Sequence, residues 1–457
     1  MSVQNTNFTV SEIDSIYKKA RNVFFIGIGG ISISAIAHLC HLDGKKIFGY
    51  DRERGENMPR LEGFCHIKYC SSTDNVEGMD LVIYTGAIDE SNIEYSHAKK
   101  RGIPVISRAN FLGYLMTKYE HRVGISGMHG KSTTTAMLSH IYRVAARAPT
   151  TLCGAKMVEE NSHYIIGDRD YFIFEGCEYL DSFLSFYPTV AGITNLDLDH
   201  PDYFKSVNDV VSSFQKYIDK ADLVFLNGDD PLSGQLRHKN PIYYGLDSKN
   251  LYHAKNINRK KNCFFAYRGE DFIGEITLLQ NGEHFIYDAL LALAIAIEDK
   301  IPQNTVCYAL SSFKGTKRRM EYLGALPSGC SVYEDYAHHP REIEASLASL
   351  ADLGFERIMC IFQPHTYSRT YYLKEQFASA FSKSQKTVII PTFSAREKNI
   401  FDFDDGQLAS LIGGEYISDF SKIPHSVADF NPDALVIMGA GDIYKIKRLF
   451  SIQTNLV

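Results

Sequence analysis

At 457 residues, 45% hydrophobic and 22% charged, the chain has the make-up of a globular protein with two or three domains. A formal charge of −6 excludes a general nucleic-acid binder, and the basic runs "RHKNP" and "NRKKN" are short enough to read as solvated loops. Its nine cysteines form no CxxC, the opening "MSVQNTNFTVSEIDSIYKKA" has no apolar targeting segment, and no apolar run is long enough for a membrane span, so we expect a cytoplasmic protein that binds neither nucleic acid nor membrane.

The stretch "NVFFIGIGGISISAIAHLCHLDGKKIFGYD" predicts a strand, a glycine turn, a helix and a second strand ending at Asp51. "VFFIGI" is continuously apolar, as a parallel strand covered on both faces requires. With the further strands "DLVIYTGAI" and "IPVISR" it forms an α/β nucleotide-binding-like unit ending near residue 115. The turn carries Gly27, Gly29 and Gly30, but Ser32 stands where a GxGxxG dinucleotide fingerprint has its third glycine. The anion at this turn is a dinucleotide phosphate or the diphosphate of a sugar nucleotide. Asp51 faces a ribose or caps a turn.

A second unit opens with "VGISGMHGKSTTTAM". The spacing is not that of GxxxxGK[ST], because Ile125 replaces its first glycine. Gly124, Gly127 and Gly130 still allow a tight turn whose amides converge on an anion at the start of the following helix. Lys131 is placed to neutralise β and γ phosphate oxygens, and the hydroxyl of Ser132 has the position of a Mg²⁺ ligand. The apolar strand "YFIFE" ends at Glu175, and "ITNLDLDH" ends at Asp199 and His200. Sites in open parallel sheets form beyond such carboxyl ends, so these groups point to a magnesium–ATP site. "CFFAYRGEDFIGEITLLQ" predicts an antiparallel hairpin or small side sheet, and "HFIYDALLALAIAIEDK" a helix.

From about residue 311 a third α/β unit is dense in polar chemistry. "GTKRRME" offers Arg318 and Arg319; "EDYAHHP" puts Asp335, His338 and His339 at a strand-to-helix junction; "FQPHTYSRT" adds His365 and Arg369 at another. Arginine forks suit carboxylates and transferring phosphates. Together these predict a second wall of the ATP site and a pocket for a carboxylate and an amine.

The ordered set "GIGGISISAIA", "SGMHGKSTTT", "FEGCEY", "TNLDLDHPDYF", "GTKRRME", "DYAHHPREIE", "FQPHTYSRT", "SAREK" and "MGAGDI" resembles the Mur ligases of peptidoglycan precursor synthesis, in a Gram-positive-like form. It runs in the family order over nearly the whole chain. The resemblance implies a Rossmann-like UDP-sugar-binding domain (1–115), a central P-loop ATPase-like α/β domain for ATP and Mg²⁺ (116–310), and a C-terminal Rossmann-like domain for the amino acid (311–457). It implies ATP-dependent ligation of L-alanine to the lactyl carboxylate of UDP-N-acetylmuramic acid through an acyl phosphate, by a monomer or weak homodimer.

The family's roles then fall on Gly27, Gly29 and Gly30 at the UDP-sugar diphosphate. Gly127, His129, Gly130, Lys131, Ser132 and Thr133 fall at the triphosphate, with Asp288 near adenine and Asp335 at the ribose. Ser132 and Glu175 would hold one Mg²⁺ and His200 a second. Lys131, His200 and Arg319 would act at the γ-phosphate, and His339 and Arg369 would hold alanine.

Two departures stand out. Phe285 and Asp288 replace the two asparagines of the family's HNxxN, and Thr392 replaces a common aspartate. An ionised Asp288 accepts a hydrogen bond from the adenine amino group but cannot donate one to a ring nitrogen, so weaker or altered adenine binding is expected. The alternatives are a ligase that attaches a recycled peptide to the same sugar nucleotide, and a paralogue that binds nucleotide or UDP-sugar with little or no turnover. A folylpolyglutamate-type ligase would lack the glycine-rich first unit.

Overall fold

The computed structural model describes residues 5–200, 203–395 and 397–454. Pro201 and Asp202 of "HPDYF" and Arg396 of "SAREK" lie outside the described residues. Three sheets follow one another along the chain. The first has five strands in the order Cys65–Lys68, Lys46–Tyr50, Asn22–Ile26, Leu81–Tyr84, Val105–Ser107, all parallel. The apolar run "VFFI" fills its centre, and the chain reverses direction of winding beside it. That switch point opens a crevice at the carboxyl end of Asn22–Ile26, where the glycine turn lies.

The second sheet has ten strands. At its heart His121–Ser126 is flanked by Val190–Ile193 and Tyr171–Gly176, both parallel to it. The ends of these three strands therefore emerge side by side, and the glycine loop, the segment from Glu175 and the segment from Thr194 meet there. "CFFAYRGEDFIGEITLLQ" is the expected antiparallel hairpin, Cys263–Arg268 with Asp271–Thr277. It is continuous with the central sheet through Tyr252–Asn258 rather than a separate side sheet.

The third sheet has six strands. Ser331–Asp335 and Ile358–Phe362 both pair in parallel with Ala434–Met438, and an antiparallel edge strand, Glu321–Ala325, joins Ser331–Asp335. Helix Glu283–Glu298 lies against helix Lys131–Val144 and touches helix Pro340–Asp352 of the last unit. Buried apolar contact runs through all three helices, from Ile141 through Leu291 to Leu347. The last two units are thus docked, with their strand ends facing one seam. No helix among the described residues is long and apolar enough to cross a membrane.

Candidate active site

Glycine is required at two places in the loop after His121–Ser126. Gly127 and Gly130 have φ of +136° and +84°. A Cβ on Gly127 would come within 2.0 Å of the Thr194 hydroxyl, and one on Gly130 within 2.2 Å of an Asp288 carboxyl oxygen. The loop is pinned on the neighbouring strand end, since His129 N–H donates to Asn195 Oδ1 (3.0 Å) and Thr194 Oγ1 donates to His129 O (2.5 Å). Gly130 precedes helix Lys131–Val144 with no side-chain cap, which leaves the first-turn amides open to an anion. Thr133 lies in that turn and lines the cavity described below.

Lys131 is folded back over the loop. Its ammonium donates to the carbonyls of Gly127 (2.6 Å) and Met128 (3.0 Å) and pairs with Glu178 Oε2 at 3.0 Å. Burial works against both charges, but each holds the other: Glu178 stays below the usual carboxylate range and Lys131 above the usual ammonium one. His200, in a left-handed conformation (φ +54°), places Nε2 3.5 Å from the other oxygen of Glu178.

Ser132 and Glu175 meet on the far side of Gly154. A Cβ there would lie 2.7 Å from Glu175 Oε2 and 3.2 Å from Ser132 Oγ, and Gly154 N–H donates to Glu175. The two oxygen donors are a fit for a hard divalent cation.

Across the seam the last unit supplies counter-charges. Asp199 receives both Nε (3.0 Å) and Nη2 (3.3 Å) of Arg369, a bidentate pair in which both residues are buried. Nη1 of Arg369 lies on His365. His339 caps helix Pro340–Asp352, and Glu342 accepts from the amides of His338 (3.0 Å) and His339 (3.2 Å). The same Glu342 binds His129 Nδ1 at 3.0 Å. Burial would depress His129, but Glu342 and Asp197 hold its pKa up at about 9, whereas burial takes His339 down to about 4.

His129, Asp197 and His339 bring three potential ligand atoms within 4.8 Å of one another. A metal centre does not follow. Asp197 Oδ2 already has Arg341 Nε at 3.0 Å, and His339 Nδ1 accepts from the Arg341 amide, which leaves the proton on its Nε2. Instead, these residues form an ionic seam between the second and third units.

A cavity of about 280 Å³ opens beside this seam. Phe285, Asp288 and Gly130 wall it from the central unit, and Arg319, Asp335 and Ser346 from the last. Asp335 accepts from Ser346 Oγ (2.5 Å) and from Ala337 N–H. Arg319 lies over the Tyr336 ring and 3.8 Å from Glu342. Asp288, buried and bonded by Thr134 Oγ1 (3.1 Å), has its pKa pushed up to about 8 by burial. Burial thus favours its protonated form, and a carboxylic acid both donates and accepts, as an amide does, whereas the ionised form only accepts.

The turn of the first unit is closed by its own hydrogen bonds. Gly27 N–H donates to Tyr50 O (2.8 Å), Gly29 N–H to Asp51 Oδ2 (2.8 Å) and Gly30 N–H to Gly27 O (3.1 Å). These glycines shape the turn and spend their own amides inside it. Asp51 is occupied with that turn, as the capping alternative foresaw. The open donors belong to the first turn of helix Ile31–Leu42.

Sequence reasoning named Lys131, His200, Arg319, His339 and Arg369, and the fold brings all of them to this seam. It missed Glu178, Asp197, Arg341 and Glu342. Glu342 carried a signal, since an acidic residue three positions after a helix cap is capping-box spacing. Glu178 carried none, because its partner Lys131 comes from another strand end.

Three family models match in order: "Mur ligase family, catalytic domain" over residues 22–120, "Mur ligase middle domain" over 125–296 and "Mur ligase, glutamate ligase domain" over 318–441. A UDP-N-acetylmuramate–L-alanine ligase of Caldanaerobacter subterraneus subsp. tengcongensis is 39% identical over 459 residues, covering 96% of this chain and 98% of the relative. The solved UDP-N-acetylmuramate-alanine ligase MurC of Thermotoga maritima superposes with a TM-score of 0.79 at 26% identity, over 94% of this chain and 98% of that one. A murein peptide ligase from Psychrobacter arcticus shares the fold, with a TM-score of 0.69 at 20% identity over 94% and 98%.

Proposed function

We propose, from the premise that this chain belongs to the Mur ligase family, that it joins L-alanine to the lactyl carboxylate of UDP-N-acetylmuramate in peptidoglycan precursor synthesis. The observation that carries the reading is the seam itself, where Lys131, Arg319 and Arg369 converge from two units beside a cavity lined by Asp288 and Asp335. The near full-length relatives named for alanine ligation favour alanine over a recycled peptide.

In this reading the carboxylate attacks the γ-phosphorus of ATP, the bond to the β,γ-bridging oxygen breaks, and ADP leaves. The deprotonated amine of alanine attacks the acyl carbon of the resulting acyl phosphate, and the tetrahedral intermediate expels phosphate. Both partners of the first step are anions, so cations must offset their repulsion before they meet. Lys131 does this at the β and γ oxygens, and Arg319 reaches the γ-phosphate from the opposite wall. A divalent cation such as Mg²⁺, held by Ser132 and Glu175 with His200 near a second, would supply further charge neutralisation. His339 and Arg369 border the place for alanine. Arg369, with Nε and Nη2 on Asp199 and Nη1 on His365, supplies the positive charge that alanine's carboxylate requires. Docking of the units excludes water from an intermediate that hydrolyses readily.

The direct test is phosphate release with ATP, Mg²⁺, UDP-N-acetylmuramate and L-alanine, omitting each in turn and weighing the product. Release that needs every component, with a product heavier by one alanyl residue, is expected. No release with alanine would sink the assignment.

The raised pKa of Asp288 predicts a pH dependence. As a donor and acceptor it can stand in for the family's asparagine at adenine, and above pH 8 it ionises and loses its donor. KM for ATP should therefore rise between pH 7 and 9 in the native chain and stay flat in Asp288→Asn. The folded pKa of about 8 lies above the ordinary 3.8, so burial of this group costs stability progressively as pH rises from about 4 to 8. The melting temperature of Asp288→Asn should exceed the native one by a margin that widens over that window; a constant margin would contradict it.

A further inference from the structure

The glycine turn of the first unit has little of its own with which to hold a diphosphate. The amides of Gly27, Gly29 and Gly30 are spent internally, and Asp51 sets a carboxylate against Gly29. What remains is the partial positive charge of the first turn of helix Ile31–Leu42. Into this place comes a side chain from another element. Arg108 opens helix Arg108–Met116, whose cap is Ser107, and its Nη1 donates to Ser32 Oγ at 3.0 Å. Ser32 is in the first turn of helix Ile31–Leu42, so the guanidinium is seated beside that turn's open amides.

Arg108 is partly buried and has no carboxylate partner among the described residues. Burial lowers its pKa, and only the Cys177 thiol opposes that shift. A desolvated cation without a counter-ion is costly in a folded protein, and a bound anion removes the cost. The planar fork of arginine matches phosphate bidentately, and one of its edges is aimed here by a hydroxyl.

We propose that Arg108, oriented by Ser32, binds the diphosphate of the sugar-nucleotide substrate; this rests on the ligase reading above. It gives the departure at Ser32 a use. Where the dinucleotide turn has glycine, this chain has the acceptor that aims its phosphate-binding arginine. The Cys177 thiol is within electrostatic reach of both Arg108 and Lys131.

The test uses the full chain without ATP or alanine, titrated with UDP, uridine and UDP-N-acetylmuramate by calorimetry or ligand-observed NMR. In Arg108→Gln the affinity for UDP should fall about 10- to 100-fold, the scale of a charge-assisted phosphate contact, with uridine binding unchanged. Arg108→Lys should recover part of the loss, and Ser32→Ala should show a smaller one. In turnover, KM for UDP-N-acetylmuramate should rise while KM for alanine does not. Removal of a partly buried cation with no carboxylate partner among the described residues should leave the melting temperature of Arg108→Gln at or above the native value. Native affinity for UDP in Arg108→Gln would overturn the role of Arg108 alone. A native chain that bound neither UDP nor UDP-N-acetylmuramate would overturn the ligase reading itself.

Discussion

Lys131→Met should reduce kcat by about 10³-fold or more, with a smaller change in KM for ATP. A preorganised donor aimed at developing charge is worth about 10² to 10³ in rate, and here the same ammonium also lessens repulsion between carboxylate and triphosphate. It is held in place before any substrate arrives, by two loop carbonyls and by Glu178. The substitution strands Glu178, whose side chain is 3% exposed, with His200 the one other potential cation paired with it among the described residues. Breaking a buried pair from one side costs about 3 to 5 kcal/mol, so a lower melting temperature should accompany the lost activity. The double variant Lys131→Met/Glu178→Gln separates the two effects. It should regain most of the stability and none of the rate; recovery of turnover would show that Lys131 serves the fold and not the chemistry.

Asp199→Ala should lower kcat/KM by more than about 100-fold, and through a different cause. Asp199 belongs to the central unit and Arg369 to the last, and their bidentate contact is among the buried links across the seam. The substitution removes the Asp199 carboxylate from a buried ion pair, at up to about 3 to 5 kcal/mol, and that cost falls on docking of the two units rather than on either core. Small-angle scattering should report a larger radius of gyration in the variant, with far-UV dichroism unchanged. Burial would raise Asp199, but Arg369 holds it well below the carboxylate range. A depressed folded pKa gives stability that is present above the ordinary value of 3.8 and is lost as pH falls through the folded one. The Asp199–Arg369 link should therefore be insensitive to pH near neutrality and be lost only in strong acid. The His129–Glu342 link of the same seam, with His129 held up at about 9, should instead weaken as pH rises from about 6.5 to 9. A native radius with full activity in Asp199→Ala would remove the pair from any part in closure.

Much of the fold could be read from local pattern. Continuously apolar strands such as "VFFI" and "YFIF" suit parallel strands covered on both faces, and both lie in the parallel parts of their sheets. The chemistry at strand ends was equally legible, because residues after a parallel strand have one crevice to face. Lys131, Ser132, Glu175, His200, Asp335 and Arg369 all stand at or after the ends of parallel strands.

What the sequence determined by itself, then, was which residues stand at the ends of strands and which turns must be glycine, since both follow from contacts a few residues apart. Partnership was decided only by the tertiary structure. Glu178 belongs to Lys131, Asp199 to Arg369, Glu342 to His129 and Ser32 to Arg108, pairs joined across strands or across units. The charge state of Asp288 was decided in the same way. A carboxyl group in a sequence is an anion by default, and burial in the fold, which withholds water from it, pushes its pKa up against the opposing hydrogen bond from Thr134.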